Sequence, residues 1–206
     1  MTFPPSRIII IVAAALLAVA VGVLVRGFIG PFEGVLPASR TATPGMVIGG
    51  PFTLVDHEGR AVTDADFRDR HILIFFGYTY CPDVCPTTLT TIADALDLLG
   101  DDADRIAPLF VTIDPARDRP EDMRAYVAHF HPAIIGLTGS AEQITDVARA
   151  YRVFFAEVRE DGADADDYLM DHSTIVYLMD EDGQFDIHFS GSTSAEDMAA
   201  TIRKRL

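Results

Sequence analysis

Cysteine is scarce in this 206-residue chain, which has only two. Two cannot build a disulfide-rich scaffold or a four-cysteine zinc site. Neither lies near the N-terminus, so no lipid attachment through cysteine is expected. Basic residues are few as well: sixteen Lys and Arg stand against thirty-one Asp and Glu, a net charge of −15. That deficit argues against a nucleic-acid binder, whose affinity comes mainly from neutralising phosphates with basic side chains. There is no internal repeat and no low-complexity tract. What is present, 49% hydrophobic and 23% charged residues, is the composition of a globular domain.

One long apolar run precedes that domain. Ile8 to Val25 are uncharged, with only Gly22 outside the hydrophobic set, and Arg7 and Arg26 bracket them. As a helix the run reaches about 27 Å at 1.5 Å per residue, close to a hydrocarbon core of about 30 Å, and Phe28 and Ile29 extend it. A cleaved signal peptide is the competing reading, with Ala18-Val19-Ala20 as its site. That cut falls inside the apolar run and leaves Val21 to Val25 exposed, which favours an uncleaved anchor over 8–29 behind a short head at 1–7. Residues 27–50 hold six Gly and three Pro, so 30–50 reads as a flexible tether to a domain at 51–206. Charge beside the anchor does not decide its orientation. A short head before a large acidic domain favours translocation, which places the domain in the periplasm and the protein as a single-pass inner-membrane protein. Fourteen basic and thirty-one acidic residues follow the anchor, and that surface should stand off an anionic membrane.

Within the domain, PFTLVDHEGRAVT predicts two short strands around an Asp-His-Glu-Gly turn. HILIFFG at 71–77 is an unbroken apolar run, as in a strand buried on both faces. Leu89, Ile92, Ala93, Leu96 and Leu99 recur at helical spacing, and Arg105 to Ile113 gives a second buried strand. Pro120 with two acids behind it opens a helix bearing Met123, Tyr126, Val127 and Phe130. Ser140 to Gln143 is a capping box for a helix bearing Ile144, Val147, Ala148 and Tyr151. Phe154–Val158 reads as a strand, 174–179 and 185–189 as a hairpin, and Ser194 as the cap of a last helix bearing Met198, Ala199, Ile202 and Leu206. This order describes an α/β domain, a mixed central sheet with helices on both faces. A cysteine motif between the first core strand and its helix points to a thioredoxin-like fold.

Cys81 and Cys85 stand in FFGYTYCPDVCPTTL, between that strand and helix. Pro86 suits a first helical position, which puts Cys85 near the N-cap. Unpaired amides and the helix dipole should then lower both thiol pKa values. A structural disulfide is the plainer reading, but a crosslink between near neighbours removes little chain entropy. Copper(I) is soft, prefers thiolate and accepts low coordination numbers; a third ligand would complete a trigonal site. Of the six histidines, His57 lies in a turn, His71 starts a strand, His129 and His131 end a helix, and His188 alternates onto a solvent face. Each has an ordinary surface or capping role. His172, in LMDHSTIVYLMD, precedes a strand entering the same sheet as HILIFFG and so should face the cysteine loop. Asp171 beside it reads as a solvent-facing acid, with support of the ligand as the other role.

GYTYCPDVCP at 77–86, VTIDPARD at 111–118 and YLMDHSTIVYLMDEDG at 168–183, in that order and behind an anchor, resemble the Sco/SenC family of membrane-anchored, thioredoxin-like copper proteins that help assemble cytochrome c oxidase. The resemblance implies copper as the bound ion and Cys81, Cys85 and His172 as its ligands. Where many relatives carry His before the first cysteine this chain has Tyr80, which leaves the three-ligand set intact. Asp83 matches the family's acid, read as shaping the loop or tuning the metal. Asp114 and Arg117 match the IDPxRD segment, read as a buried ion pair or loop brace. The implied function is a metallochaperone delivering copper to the CuA site in the copper-bearing oxidase subunit. The alternative is a thiol-disulfide oxidoreductase that reduces that subunit's cysteines, with Cys81 and Cys85 as its redox pair. Against the alternative stand three residues between the cysteines where thioredoxins have two, and no proline before the strand at Thr174. The run Glu160–Asp171 carries six acids in twelve residues, a solvated face or a docking surface for a basic partner.

Overall fold

The computed structural model describes residues 47–159, 162, 164 and 167–206. The head at 1–7, the anchor at 8–29 and the tether up to residue 46 lie outside them. Among the described residues no helix is long and apolar enough to cross a membrane.

Strands β1 (Thr53–Asp56) and β2 (Ala61–Thr63) form the expected antiparallel pair. Asp56 closes the turn between them by accepting the amides of Glu58 and Arg60 at 2.9 and 2.8 Å. Gly59 takes the φ of 81° that this turn requires. Next come β3 (His71–Gly77), α1 (Val84–Leu99) and β4 (Ile106–Thr112). Every residue of β3 and β4 is buried, which is why both read as unbroken apolar runs. They pair in parallel with Phe75 opposite Phe110, and β5 (Ile135–Thr138) continues the parallel set beyond α2 (Pro120–Val127). Helix α3 (Ala141–Ala150) starts at the expected capping box, in which Ser140 Oγ accepts from the Gln143 amide at 3.2 Å. Strands β8 (Val176–Met179) and β9 (Phe185–Phe189) and helix α4 (Ala195–Arg203) complete the domain.

The main sheet has seven strands in the order β2-β1-β5-β4-β3-β8-β9, with β8 antiparallel to β3. Phe110 meets Tyr126 of α2 with ring centroids 5.7 Å apart, and Gly77 backs onto Cys85 of α1, so α1 and α2 cover one face. Phe76, which points the other way, meets Tyr151 at the end of α3 at 5.4 Å. Helix α4 runs beside α1, where Arg203 donates to the Leu98 carbonyl at 2.7 Å. Helices thus lie on both faces of a mixed sheet, the expected thioredoxin-like arrangement. Phe130 lies beyond the end of α2 yet still packs on Tyr126, 5.2 Å away.

Strand β6 (Phe155–Val158) appears where the pattern predicts it, but it joins a second, two-stranded sheet with β7 (Leu169–His172), Phe155 opposite His172. The sequence pattern marks no strand immediately before β8, where β7 lies. Four residues with one buried-side alternation, Met170 and His172 inward and Leu169 and Asp171 outward, are too short a run for period two to register in sequence.

Candidate metal centre

Strand β3 ends at Gly77, and the loop Tyr78–Asp83 carries Cys81 to the mouth of α1, half-buried, while Cys85 is fully buried. Both cysteines are free. The helix opens two residues earlier than Pro86 suggests: Val84 is its first residue and Asp83 its N-cap, so Cys85 sits inside the first turn. Asp83 makes no side-chain cap bond. The Cys85 amide, one of the unpaired donors of that turn, points at Cys81 Sγ at 3.4 Å instead.

His172 closes the site from the other side, its Nε2 at 3.5 Å from Cys85 Sγ. Its Nδ1 lies 3.0 Å from the Ser173 carbonyl. A proton held there leaves the Nε2 lone pair aimed at the sulfurs. The ring stands edge-on to Tyr78 at 6.0 Å and tilted to Phe75 at 6.3 Å. The three ligand atoms of Cys81, Cys85 and His172 all lie within 4.8 Å of one another. Among the described residues no other group of His, Cys, Asp and Glu side chains converges in this way. Gly77 makes the arrangement possible, because a Cβ there would sit 2.7 Å from Cys85 Sγ and 2.9 Å from the Phe110 ring.

The two thiols titrate in opposite directions, which corrects the expectation that both would be lowered. Cys81 is drawn down to about 5, first by its hydrogen bond with the Cys85 side chain, then by the Cys85 and Asp83 amides and the His172 ring, against partial burial. Cys85 is pushed well above the ordinary thiol value because it keeps the proton between the two sulfurs and is buried. A thiolate at Cys81 and a thiol at Cys85 are therefore the neutral-pH state.

A cleft of about 330 Å³ opens over the site, lined in part by Tyr78, Cys81, Val84, Val158, Leu169 and Met170. Five of the seven exposed large apolar side chains among the described residues surround it or flank its ligands: Tyr80, Val84, Phe154, Val158 and Leu169. Asp171 faces solvent as expected.

The remaining histidines stay away from the cysteines. His57 Nδ1 accepts the Gly136 amide at 2.8 Å and joins the first turn to β5. His131 lies 3.5 Å from Asp97, His129 beside the Tyr126 carbonyl, and His188 on the exposed side of β9. His71 differs from the surface role expected of it: it is buried, with Nδ1 3.8 Å from Glu181.

Two groups were missed in the sequence. Asp118 is fully buried and accepts the Thr79 amide at 3.0 Å, the Thr79 hydroxyl at 2.5 Å and the Thr112 hydroxyl at 2.6 Å. Burial raises its carboxyl pKa against those three bonds. Tyr168 is buried with its hydroxyl donating to Asp114 at 2.8 Å. Asp114 also takes Arg117 Nε at 2.5 Å, the expected ion pair. The IDPARD run was a signal for Asp118, but an acid among acids does not declare burial. Of the acidic run at 160–171, residues 160, 161, 163, 165 and 166 lie outside the described set.

A profile of the SCO1/SenC family matches residues 40–206. The chain is 44% identical over 156 residues to Protein sco1 of Schizosaccharomyces pombe, covering 75% of this chain and 59% of that protein, so it spans about three fifths of that relative's length. It is 36% identical over 195 residues to a SCO2-like protein of Rickettsia conorii, covering 95% of each. It superimposes on the structure of Bradyrhizobium japonicum ScoI with copper bound at a TM-score of 0.71 and 43% identity, covering 77% of this chain and 99% of that one. With its fold, its converging ligand set and a family match over most of its length, the chain belongs to the SCO1/SenC family.

Proposed function

We propose that this protein binds copper through Cys81, Cys85 and His172 and acts in the assembly of cytochrome c oxidase, delivering the metal to the CuA site of the copper-bearing subunit. The observation that carries this reading is the convergence of two sulfurs and one imidazole nitrogen within 4.8 Å. Two thiolates and an imidazole suit a soft, low-coordinate ion, and copper is bound in the Bradyrhizobium japonicum relative. Cys81 is ready to bind as thiolate, whereas Cys85 must release its proton to do so. Ligand exchange with an incoming partner starts at the cleft, where Cys81 is the more accessible sulfur. The anchor at 8–29 and tether at 30–50 would hold the domain on the periplasmic side of the inner membrane.

A second reading is favoured by one observation. A half-buried Cys81 with a pKa of about 5 next to a buried, protonated Cys85 is also the pairing of an attacking and a resolving thiol. Thr174 then stands where an oxidoreductase of this fold carries a substrate-docking proline. Titration of the reduced full chain in detergent with Cu(I), beside His172→Ala, separates the two. One copper per chain, bound much more weakly by the variant, is the expected result. Unchanged binding in the variant, or none in the wild type, moves the function to dithiol redox chemistry.

A further inference from the structure

The ligands sit on segments of very different anchorage. The cysteines leave the end of β3 in the main sheet, whereas His172 ends β7, which among the described residues pairs only with β6. Clefts flank that two-stranded hairpin on both sides. One of about 330 Å³ lies over the cysteines, and another of about 360 Å³ lies between Asp114, Ser140, Glu157 and Tyr168; Met170 borders both. Apolar packing alone is a thin support for a ligand held this way. Something polar must fix the strand to the body of the domain.

The loop that follows β4 supplies it. From one side Asp118 grips Thr79, two residues before Cys81, through both its amide and its hydroxyl. From the other side Asp114 and Arg117 grip Tyr168, the residue before β7. The Tyr168 hydroxyl donates to Asp114 at 2.8 Å, Arg117 Nη1 donates to the Tyr168 carbonyl at 3.0 Å, and the guanidinium lies 3.6 Å from the centroid of the Tyr168 ring. Arg117 also stands 4.7 Å over the ring of Tyr80, next to Cys81. Two residues along β7, the Met170 amide donates to the Tyr78 hydroxyl at 3.2 Å.

We infer that Arg117, paired with Asp114, is a positioning residue for the metal centre: it fixes Tyr168 and thereby sets how closely His172 approaches Cys81 and Cys85. The inference rests on the copper reading above. A planar guanidinium suits the task, because a single fork serves a carboxylate, a carbonyl and two ring faces at once. Arg117 reaches the ligands through Tyr168 and Tyr80.

A double-mutant cycle on the reduced full chain in detergent tests it, with Cu(I) affinity measured by competition against a chromophoric chelator. Arg117→Ala should weaken Cu(I) binding about tenfold, the scale of lost support behind a metal ligand. In a His172→Ala background most of that loss should vanish, since the ligand that Arg117 positions is gone. Tyr168→Phe deletes only the hydroxyl on Asp114 and leaves Tyr80 untouched; it should repeat the pattern at smaller size, which keeps the test open should Arg117→Ala fold poorly. The same loss in both backgrounds, or none in either, overturns the positioning role while leaving the ligand set standing. No effect of His172→Ala alone overturns both readings.

Discussion

Gly77→Ala is the most informative single substitution, because a single methyl would be driven into the metal centre without strain in the backbone. Its Cβ would stand 2.7 Å from Cys85 Sγ and 2.9 Å from Phe110 Cε2. Carbon contacts are comfortable at about 3.5–4.0 Å, so the Phe110 ring must retreat by roughly 0.6 Å or more and the larger sulfur by about 1 Å. Neither can do so freely. Phe110 is wedged between Phe75 and Tyr126, with ring centroids 6.0 and 5.7 Å away, and Cys85 is fixed by the first turn of α1. Overpacking of this kind costs about 1–3 kcal/mol, or roughly 3–9 °C of melting temperature for a domain of this size. The displaced sulfur also leaves the ligand triangle, which tolerates only about 0.2 Å. Thermal denaturation of the apo protein and Cu(I) competition therefore read the same displacement twice. The expected result is a lower midpoint together with copper affinity reduced tenfold or more. Adding Cys85→Ala should return part of the lost stability, because removing the sulfur makes room while the Phe110 contact remains. A Gly77→Ala variant with wild-type melting and wild-type affinity would refute the reasoning.

Alkylation of the reduced apo protein by iodoacetamide should modify Cys81 first. Its thiolate is present above about pH 5 and lost below it, so the rate is flat near neutrality and falls with pH only in the acid range, while Cys85 stays slow; a midpoint near the ordinary thiol value would contradict this. Copper loading at pH 7 should release about one proton per chain, from Cys85, and more as pH falls below about 5 and Cys81 binds its own proton, measured by calorimetry in buffers of different ionisation heat. Asp118→Ala should cost about 2–4 kcal/mol in denaturant unfolding, because it removes the acceptor of the buried Thr112 hydroxyl and of the half-buried Thr79 amide and hydroxyl; a change under about 0.5 kcal/mol would show that those donors find other partners.

Much of this architecture was legible in the chain because its strongest signals are long and redundant. HILIFFG and the run around LFVTI are both buried on two faces, and each is long enough for its apolar composition to decide the matter. Ser140 and Gln143 announce a helix start through chemistry that few other conformations use. The convergence of Cys81, Cys85 and His172 was legible for a different reason: antiparallel pairing brings the end of β3 and the approach to β8 to the same end of the sheet. The rest depends on partners far apart in sequence. Whether Asp118 is solvated or buried is decided by Thr79 and Thr112 closing around it, 39 and 6 residues away. Opposite shifts at Cys81 and Cys85 follow first from the hydrogen bond between the two sulfurs and then from the deeper burial of Cys85, and neither is written in the spacing of the motif.

On the copper-delivery reading proposed above, that split between the thiols bears on how a carrier can bind tightly and still let go. A site of two equal thiolates and a rigid imidazole would hold its ion from all sides. Here each proposed ligand is held differently: Cys85 buried in the first turn of a helix, Cys81 on a loop at the cleft, and His172 at the end of a strand outside the main sheet. An incoming ligand would therefore meet Cys81 and His172 at the open side while Cys85 kept its grip from within. On that reading, exchange would replace the outer ligands first, so that the copper need not be free in solution. The proton that Cys85 would give up on loading would return on unloading, so protonation of that sulfur would help to break the last bond.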